Sequence, residues 1–407
     1  MKKFFVLIMI VLFGMNVTIG QWVPQNSGTT QNLTSVYFIN TNTGYAVGDS
    51  GTILKTTNGG DTWVLQNSGS STNFSAVDFP TPDIGYVVGE MGSIYKTVDG
   101  GITWFQPTTG FPLFFTFHSV DFTEINKGFC IGDGIHKTID GGYNWDTTVI
   151  SNVSLKSVDF PSIDTGYVVG NIEGQPPWGQ FIKTIDGGNN WTIINDFCAT
   201  IVWNVEFSDV NIGYVVGFNL NLGGGLFYKT LDGGETWNYL QLWNRVLNAV
   251  SFPGVSIGYG VGYNWMGGSG ILLKTVDGGE TWIIQDSIIS CALNSVCFLN
   301  SDTGYTVGNC GTILKTTNGG GYPVGIAKQD QTTNALNIYP NPASITITIE
   351  TLIPGIITIL NPSGQVILQK EIAKPTTTID VRGWNSGVYV VKLIGEKGVQ
   401  VGKMIRQ

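Results

Sequence analysis

Short apolar runs alternate with glycine-rich polar turns along most of the chain, and one order of runs recurs seven times between Leu33 and Gly320. Each repeat holds a run ending Val-x-Phe (strand A), a Gly-Tyr-x-Val-Gly run or its counterpart (strand B), a run ending Lys-Thr (strand C) and a last run that starts at a tryptophan (strand D). The lysines recur every 41 to 46 residues, at Lys55, Lys96, Lys137, Lys183, Lys229, Lys274 and Lys315. Four short strands at this period predict a seven-bladed β-propeller, with one blade per repeat.

The seventh repeat lacks its fourth strand, because Gly320 is followed by Gly-Tyr-Pro rather than by a tryptophan. A matching strand lies at the other end of the chain, where Gln21 to Gly28 closely resembles the first strand D, Thr62 to Gly69. We therefore expect residues 21–28 to complete blade 7 and to close the ring. Closure would remove the open sheet edge that an incomplete blade exposes.

The chain after the repeats has a different pattern. A polar stretch over 322–335 predicts a linker. Several β runs separated by turns follow over 336–407, among them Gly355 to Asn361 and Val388 to Ile394. They predict a small β-sandwich. The expected fold is thus all-β, with a propeller over 21–321 and a C-terminal sandwich over 336–407.

The N-terminus and the net charge bear on location and partners. Residues 1–20 combine Lys2 and Lys3, an apolar run from Phe4 to Phe13 and weakly polar residues up to Gly20, which predicts a secretory signal peptide. That run is too short to span a bilayer comfortably, so we expect no transmembrane segment in the mature chain. The formal charge of −9 repels phosphate backbones, and nucleic acid is therefore not an expected partner.

The five cysteines leave at least one without a disulfide partner. Cys130 and Cys297 lie in predicted strands and are expected to be small buried residues. Cys291 and Cys310 lie in loops that flank blade 7. A disulfide between these two is one possibility, which the sequence leaves open.

An Asp-Gly-Gly-x-Thr-Trp element, seen for example at Asp232 to Trp237, lies in the predicted C-to-D hairpins. Its glycines supply positive backbone angles, its aspartate can accept bonds from the turn, and its tryptophan can cover the junction between sheets. The element resembles the Asp-box, or BNR repeat, and residues 21–320 resemble propellers of the photosystem II stability and assembly factor family. We expect the first residue of each box to be structural: Asn58, Asp99, Asp140, Asp186, Asp232, Asp277 and Asn318.

The C-terminal region carries a second resemblance. Its motifs are Ile338-Tyr-Pro-Asn-Pro-Ala343, Asn361-Pro-Ser-Gly364, Ser386-Gly-Val-Tyr389 and Lys403-Met-Ile-Arg406. In this order they resemble the type A C-terminal sorting domain of type IX secretion cargo. The resemblance implies that residues 336–407 engage the type IX machinery after Sec export, and that their removal accompanies release or surface attachment. A photosystem role needs a photosynthetic host, whereas type IX cargo crosses the outer membrane. The photosystem function of the first family is therefore not expected for this chain.

Asp-boxes also occur in sialidases and xyloglucanase-like glycosidases, so a secreted glycoside hydrolase is the alternative function. A sialidase-like site needs three arginines, whereas the propeller holds Arg245 alone. Other hydrolases need two carboxylates about 5 to 9 Å apart. The candidates for such a pair are Asp49, Glu90 and Asp133, which follow strand B in adjacent blades, with Glu173 and Asp196 in addition. The bland alternative for the three turn residues is that they are solvated.

Other chemistry has little support in the sequence. Four acids recur at one position of strand A and are expected to be structural: Asp78, Asp121, Asp159 and Glu206. The two histidines, His118 and His136, have no metal-ligand spacing and no nucleophile motif beside them. We therefore expect no catalytic residue, no metal and no cofactor.

Departures from the repeat are the better guide to a binding site, because the repeated residues build the scaffold. The stretch from the last glycine of strand B to the lysine is seven residues in blades 1, 2 and 7, but twelve or thirteen in blades 4 to 6. These long loops share one face of the ring with the D-to-A connections, and the two carry Trp178, Phe218, Tyr263, Trp265, Trp203 and Trp243. They predict a platform for sugar rings or a protein, the alternative being that they pack together and cap the blades.

The leading interpretation is an exported, secreted or surface-bound propeller that binds an extracellular glycan or protein without catalysis. The glycoside hydrolase and a structural or assembly factor are its alternatives.

Overall fold

The computed structural model describes residues 22–172, 178–197, 200–321, 336–350, 355–361, 366–372, 376–395 and 398–407. The signal peptide predicted over 1–20 and the linker predicted over 322–335 lie outside these residues. The chain divides into two compact units, Met1–Val324 and Gly325–Gln407. No helix among the described residues is long and apolar enough to cross a membrane.

The apolar runs of the repeats form short antiparallel strands. The first strand, β1 (Val23–Gln25), precedes the repeats. Blade 1 then contains β2 (Leu33–Phe38), β3 (Gly44–Gly48), β4 (Ile53–Thr56) and β5 (Val64–Leu65); blade 2 contains β6 (Phe74–Asp78), β7 (Gly85–Gly89) and β8 (Ile94–Thr97); and blade 3 contains β9 (Ser119–Phe122), β10 (Gly128–Ile131), β11 (Ile135–Thr138) and β12 (Asp146–Thr148). Blade 4 contains β13 (Val153–Asp159), β14 (Gly166–Ile172), β15 (Trp178–Thr184) and β16 (Thr192–Phe197); blade 5 contains β17 (Thr200–Phe207), β18 (Gly213–Asn219), β19 (Gly224–Thr230) and β20 (Asn238–Gln241); blade 6 contains β21 (Arg245–Ser251), β22 (Gly258–Asn264), β23 (Gly270–Thr275) and β24 (Ile283–Ile289); and the last repeat contains β25 (Leu293–Phe298), β26 (Gly304–Gly308) and β27 (Ile313–Thr316). Two 3-10 turns, Asp49–Gly51 and Asn309–Gly311, follow β3 and β26.

These strands form one sheet per repeat, and the predicted all-β propeller class is confirmed. Blades 1 and 3 to 7 have four strands, while β6 to β8 form three and are extended by an isolated bridge between Lys96 and Phe105. Strand β1 pairs with β27, with Val23 opposite Lys315 and Gln25 opposite Ile313. The N-terminal strand is therefore the fourth strand of the last sheet, at the position that the truncated repeat predicts.

Stacked aromatic rings join neighbouring blades. The tyrosine of strand B in one blade stacks on the strand A phenylalanine of the next, as Tyr45 does on Phe79 at 4.0 Å between ring centroids. The Asp-box tryptophan packs edge-on against that phenylalanine, as Trp104 does at 6.0 Å. In blade 7 this tryptophan position is taken by Trp22, which meets the ring of Phe298 at 5.6 Å.

The first and last blades are in contact as well. Tyr305 of blade 7 stacks on Phe38 of blade 1, with 3.7 Å between the ring centroids. The strand A of each blade also contacts the strand A of the next, and β25 contacts β2. The seven A strands therefore surround the centre of the propeller.

Two loops of blade 7 are joined covalently. Cys291, just before β25, forms a disulfide with Cys310, in the turn after β26, and their Cα atoms are 6.4 Å apart. The pairing that the sequence left open is thus made. Cys130 is a buried free thiol as expected, whereas Cys297 is only half-buried.

The second unit contains two antiparallel sheets that enclose an apolar core. One sheet is built from β28 (Asn337–Tyr339), β29 (Thr346–Glu350) and β32 (Thr376–Asp380), and the other from β30 (Gly355–Leu360), β31 (Val366–Ile372), β33 (Gly387–Gly395) and β34 (Gly398–Arg406). Side chains such as Ile347, Ile359 and Met404 fill the core and are inaccessible to solvent. The motifs at the two ends of the unit meet, because Asn341 accepts a bond from the Ile405 amide and donates one to the Lys403 carbonyl.

Candidate functional site on the loop face

The Asp-box side chains are used inside their own hairpins. Asp99 accepts bonds from the backbone N–H of Thr103 at 2.9 Å, from the Thr103 hydroxyl at 2.6 Å and from the Thr97 hydroxyl at 2.8 Å. These bonds, the Thr103 hydroxyl first, lower the pKa of Asp99 to about 2. Asn58 makes the equivalent contacts, with its Oδ1 accepting from the Thr62 N–H at 3.0 Å. Asp99 and Asn58 thus each hold their own turn through these bonds.

The sequence did not reveal what the repeated lysine and tyrosine do. Lys55 Nζ and Tyr45 Oη both donate to the Gly100 carbonyl, in the Asp-box of the next blade, at 2.6 Å each. Lys96 and Tyr86 meet the Gly141 carbonyl in the same way. These pairs connect neighbouring blades, and the recurrence of the lysine in all seven repeats and of the tyrosine in six of them was the signal that could have indicated it.

The recurrent acids of strand A also connect blades. Asp159 accepts the Phe207 N–H of the next blade at 2.8 Å, and Glu206 accepts the Phe252 N–H at 2.8 Å. Desolvation raises the pKa of Asp159 to about 7 and that of Glu206 to about 8. The contacts agree with the structural role predicted for this position.

Both histidines lie in the propeller with partners. His118 Nε2 is 3.1 Å from Lys156 Nζ, and His136 Nδ1 is 2.9 Å from the Thr147 hydroxyl. Burial lowers the pKa of each to about 4, with the Lys156 charge contributing at His118. Within the described ranges, no group of three or more histidine, cysteine or acidic side chains is arranged to hold a metal ion.

The candidate carboxylates lie in the turns after strand B. Asp49 accepts from the Asn32 amide at 2.9 Å, and Glu90 accepts from the Asn73 amide at 3.2 Å. Asp133 lies in an exposed turn between β10 and β11. Glu173 lies outside the described residues, as does the side chain of Asp196. Asp49 and Glu90 are thus each bonded to the asparagine that directly precedes strand A of the same blade.

We call the side of the propeller formed by the B-to-C and D-to-A connections the loop face. Two of the candidate aromatic residues meet there, because the rings of Phe218 and Trp265 are 4.5 Å apart. Phe218 is buried beneath Trp265, which is 51% exposed. Trp243 and Trp178 are 69% and 39% exposed.

Backbone hydrogen bonds bring three connections of the loop face together. The Trp265 N–H donates to the Asn244 carbonyl at 2.8 Å, and the Gly225 N–H donates to the Trp243 carbonyl at 3.1 Å. The loops that carry Trp243 and Trp265 are thus adjacent. Tyr263 and Trp203 are half-buried, Trp203 on β17 and Tyr263 on β22. Within the described part, the ring contact inside the predicted aromatic set is that of Phe218 with Trp265.

Comparison with known families supports both resemblances. Residues 337–407 match the secretion system C-terminal sorting domain, and residues 15–106 match the photosynthesis system II assembly factor YCF48. The first match indicates a type IX secretion cargo that is located at the cell surface or outside the cell. A comparison with curated proteins found no match.

Three solved structures illustrate the likeness of fold. YCF48 from Cyanidioschyzon merolae is 22% identical, with 73% of this chain and 98% of that chain covered and a TM-score of 0.58. YCF48 bound to D1 peptide is 21% identical, with 74% and 99% covered and a TM-score of 0.58. The Niastella koreensis GH74 enzyme is 16% identical, with 94% and 66% covered and a TM-score of 0.60. The chain therefore joins a β-propeller of YCF48-like Asp-box repeats to a type IX secretion sorting domain.

Proposed function

We propose that the exported chain is a non-catalytic binding propeller whose ligand contacts the loop face of blades 4 to 6. The observation that carries this proposal is the exposure of Trp243 and Trp265, at 69% and 51%, on adjacent hydrogen-bonded loops. Exposed tryptophans on neighbouring loops are typical of a recognition surface, since each offers a large apolar area and a polar N–H.

The surroundings of these tryptophans favour binding because they limit motion before the ligand arrives. Phe218 supports the ring of Trp265 from below, and the Asn244 carbonyl holds its backbone. A side chain that is already ordered loses less conformational entropy on binding. The alternative is that these aromatic rings only cap the blades. It agrees with the burial of Phe218 but does not explain the exposure of Trp243 and Trp265.

The ligand class follows from the chemistry of an aromatic surface. Flat exposed rings can stack on sugar rings or pack against the side chains of a polypeptide. The likeness to YCF48 bound to D1 peptide supports a polypeptide, and the likeness to a GH74 enzyme supports a glycan. The proposal therefore includes both classes, and one experiment separates them.

That experiment measures binding of the purified full chain to a glycan array and to a peptide array. The test variant is Trp243→Ala/Trp265→Ala, and the matched control is Tyr239→Ala, an aromatic residue that is 64% exposed on the outer strand β20. We expect at least a tenfold loss of affinity in the double variant and none in the control. Unchanged binding in the double variant would sink the proposal.

A hydrolase remains the second candidate because of the GH74 likeness. Its test is release of reducing sugar from any glycan that binds. Loss of that release in Asp49→Asn or Glu90→Gln would favour the enzyme.

Removal of residues 336–407 during export belongs to the proposal as well, and the mass of the secreted chain measures it.

A further inference from the structure

The opposite side of the propeller, formed by the A-to-B turns and the Asp-box hairpins, carries exposed aliphatic side chains at two repeat positions. We call this side the Asp-box face. The first position precedes the box and is 41% to 73% exposed in blades 2 to 6, as Val98, Ile139, Ile185, Leu231 and Val276. The second lies in the A-to-B turn and is 38% to 56% exposed in blades 3 to 6, as Ile125, Ile163, Val210 and Val255. We name these nine residues the aliphatic crescent.

The two positions are neighbours within each blade. In blade 3 the Gly141 N–H donates to the Asn126 carbonyl at 2.9 Å, so the turn with Ile125 lies against the hairpin with Ile139. The same bond joins Gly187 to Asp164 in blade 4, at 2.8 Å. Successive blades are connected too, since Tyr167 of blade 4 donates to the Val210 carbonyl of blade 5 at 2.6 Å. The crescent is therefore fixed by hydrogen bonds along its length.

The crescent ends where the repeat changes. In blades 7 and 1 the position before the box is Thr317 or Thr57, and the turn position is Ser301 or Thr41. The hairpin therefore also forms with threonine, and its geometry does not require an aliphatic residue. Because a large part of each of these side chains faces water, packing in the core does not by itself explain their recurrence in consecutive blades.

The area is that of a protein interface. The nine residues together expose roughly 900 Å², which is of the same order as the ~800 Å² per partner that a stable complex buries. The similarity in fold to YCF48 and to the GH74 enzyme does not assign a role to the Asp-box face. The ligand site proposed above lies on the loop face.

The charged residues of the Asp-box face indicate which kind of partner would bind it. An acid follows each crescent residue before the box, namely Asp99, Asp140, Asp186, Asp232 and Asp277. The repeated lysines lie beside these boxes too, as Lys55 and Lys96 do, but the further acids Glu124, Asp164, Asp209, Glu235 and Glu280 leave this face with an excess of carboxylates. Their hydrogen bonds within the turns stabilise the ionised form, as at Asp232, whose pKa is lowered to about 2 chiefly by the Thr236 hydroxyl. A second copy of the chain would bring the same carboxylates face to face, which disfavours self-association.

We propose that the aliphatic crescent is a docking surface for a protein partner whose contact surface combines aliphatic side chains with lysine or arginine. Such a partner would bury the crescent and place its cations beside the Asp-box carboxylates. The chain would then have two separate interaction faces.

The test uses the full chain and a fluorescent synthetic peptide of leucine and lysine that forms an amphipathic helix. Matched peptides replace lysine by glutamate, or leucine by serine. The test variant is Ile139→Thr/Ile185→Thr/Leu231→Thr, which introduces the residue that blades 1 and 7 already have. The control variant is Val23→Thr/Val64→Thr/Leu65→Thr, three side chains that are 54% to 65% exposed on outer strands.

We expect fluorescence anisotropy to show binding of the leucine–lysine peptide, at least tenfold weaker in the crescent variant and within twofold of the parent in the control. Neither matched peptide should bind comparably. Equal affinity in the crescent variant, absence of binding, or equal binding of a matched peptide would overturn the proposal. So would a dimer of the parent chain in sedimentation that the crescent variant abolishes, since the occupant would then be a second copy.

Discussion

The N-terminal strand is the best place to test how the propeller is held together. Trp22 is 4% exposed and packs edge-on against Phe298 and Tyr259, at 5.6 and 6.3 Å between ring centroids. It precedes β1, which contributes only three paired residues to the sheet. We expect Trp22→Ala to release this strand from blade 7.

The free energy of burying Trp22 and the entropy cost of ordering β1 lead to that expectation. Burial of a tryptophan removes up to about 250 Å² from water, worth at most about 6 kcal/mol. Ordering three residues costs about 3 to 6 kcal/mol of backbone entropy. Val23 is 54% exposed and offsets little of this cost. Without Trp22 the balance favours a detached strand, and we expect a loss of about 3 to 5 kcal/mol in the free energy of unfolding.

Two measurements separate strand release from simple loss of packing. Trp63→Ala is the matched control, because Trp63 has the same edge-on contact with Phe38 at 5.8 Å inside a continuous blade. Both variants should lose stability in urea unfolding, but only Trp22→Ala should speed amide exchange in β27, the partner of β1. Unchanged exchange in β27 would refute the reasoning, since β1 would then be held by its backbone pairing.

Three further predictions concern other parts of the chain. Replacing Cys291 and Cys310 by serine opens a loop of sequence separation 19 and should cost about 3 kcal/mol in thermal unfolding, an effect that a reductant should reproduce in the parent. The raised pKa of Asp159, about 7 against an ordinary 3.8, gives stability that is complete below pH 4 and is lost as the pH rises through 7; Asp159→Asn should remove this part of the dependence of the melting temperature on pH. Asn341→Ala breaks both bonds to β34 and should destabilise the C-terminal unit by about 1 to 3 kcal/mol, measured by its proteolysis, while the propeller melts as before.

The strands could be predicted because apolar runs and turn residues are local patterns of the sequence. The pairing of β1 could be predicted because residues 21–28 repeat the sequence of the first strand D. The connections made by Tyr45 and Lys55 could not, because their acceptor is a backbone carbonyl in the next blade and leaves no trace in side-chain identity. Similarly, the partner of Cys291 depended on how closely two loops approach in space.

The candidate site on the loop face stays a prediction, and the structure adds which of its aromatic rings are exposed. Loop length and aromatic content indicated the loop face, but the sequence could not distinguish Phe218, which is buried, from Trp265, which is 51% exposed. The crescent was missed for the converse reason. An isoleucine such as Ile185 looks like a core residue until the hairpin is seen to point it outward.

The pairing of β1 with β27 also bears on the kinetics of folding. Val23 and Lys315 are partners across almost the whole propeller sequence, so the last pairing has a very high contact order and a correspondingly large loop-closure entropy. β1, the first strand of the propeller in chain order, has to wait for the last blade before it can pair. Until then blade 7 has an unpaired edge, and the intermediate that precedes closure is the species most open to strand exchange between molecules.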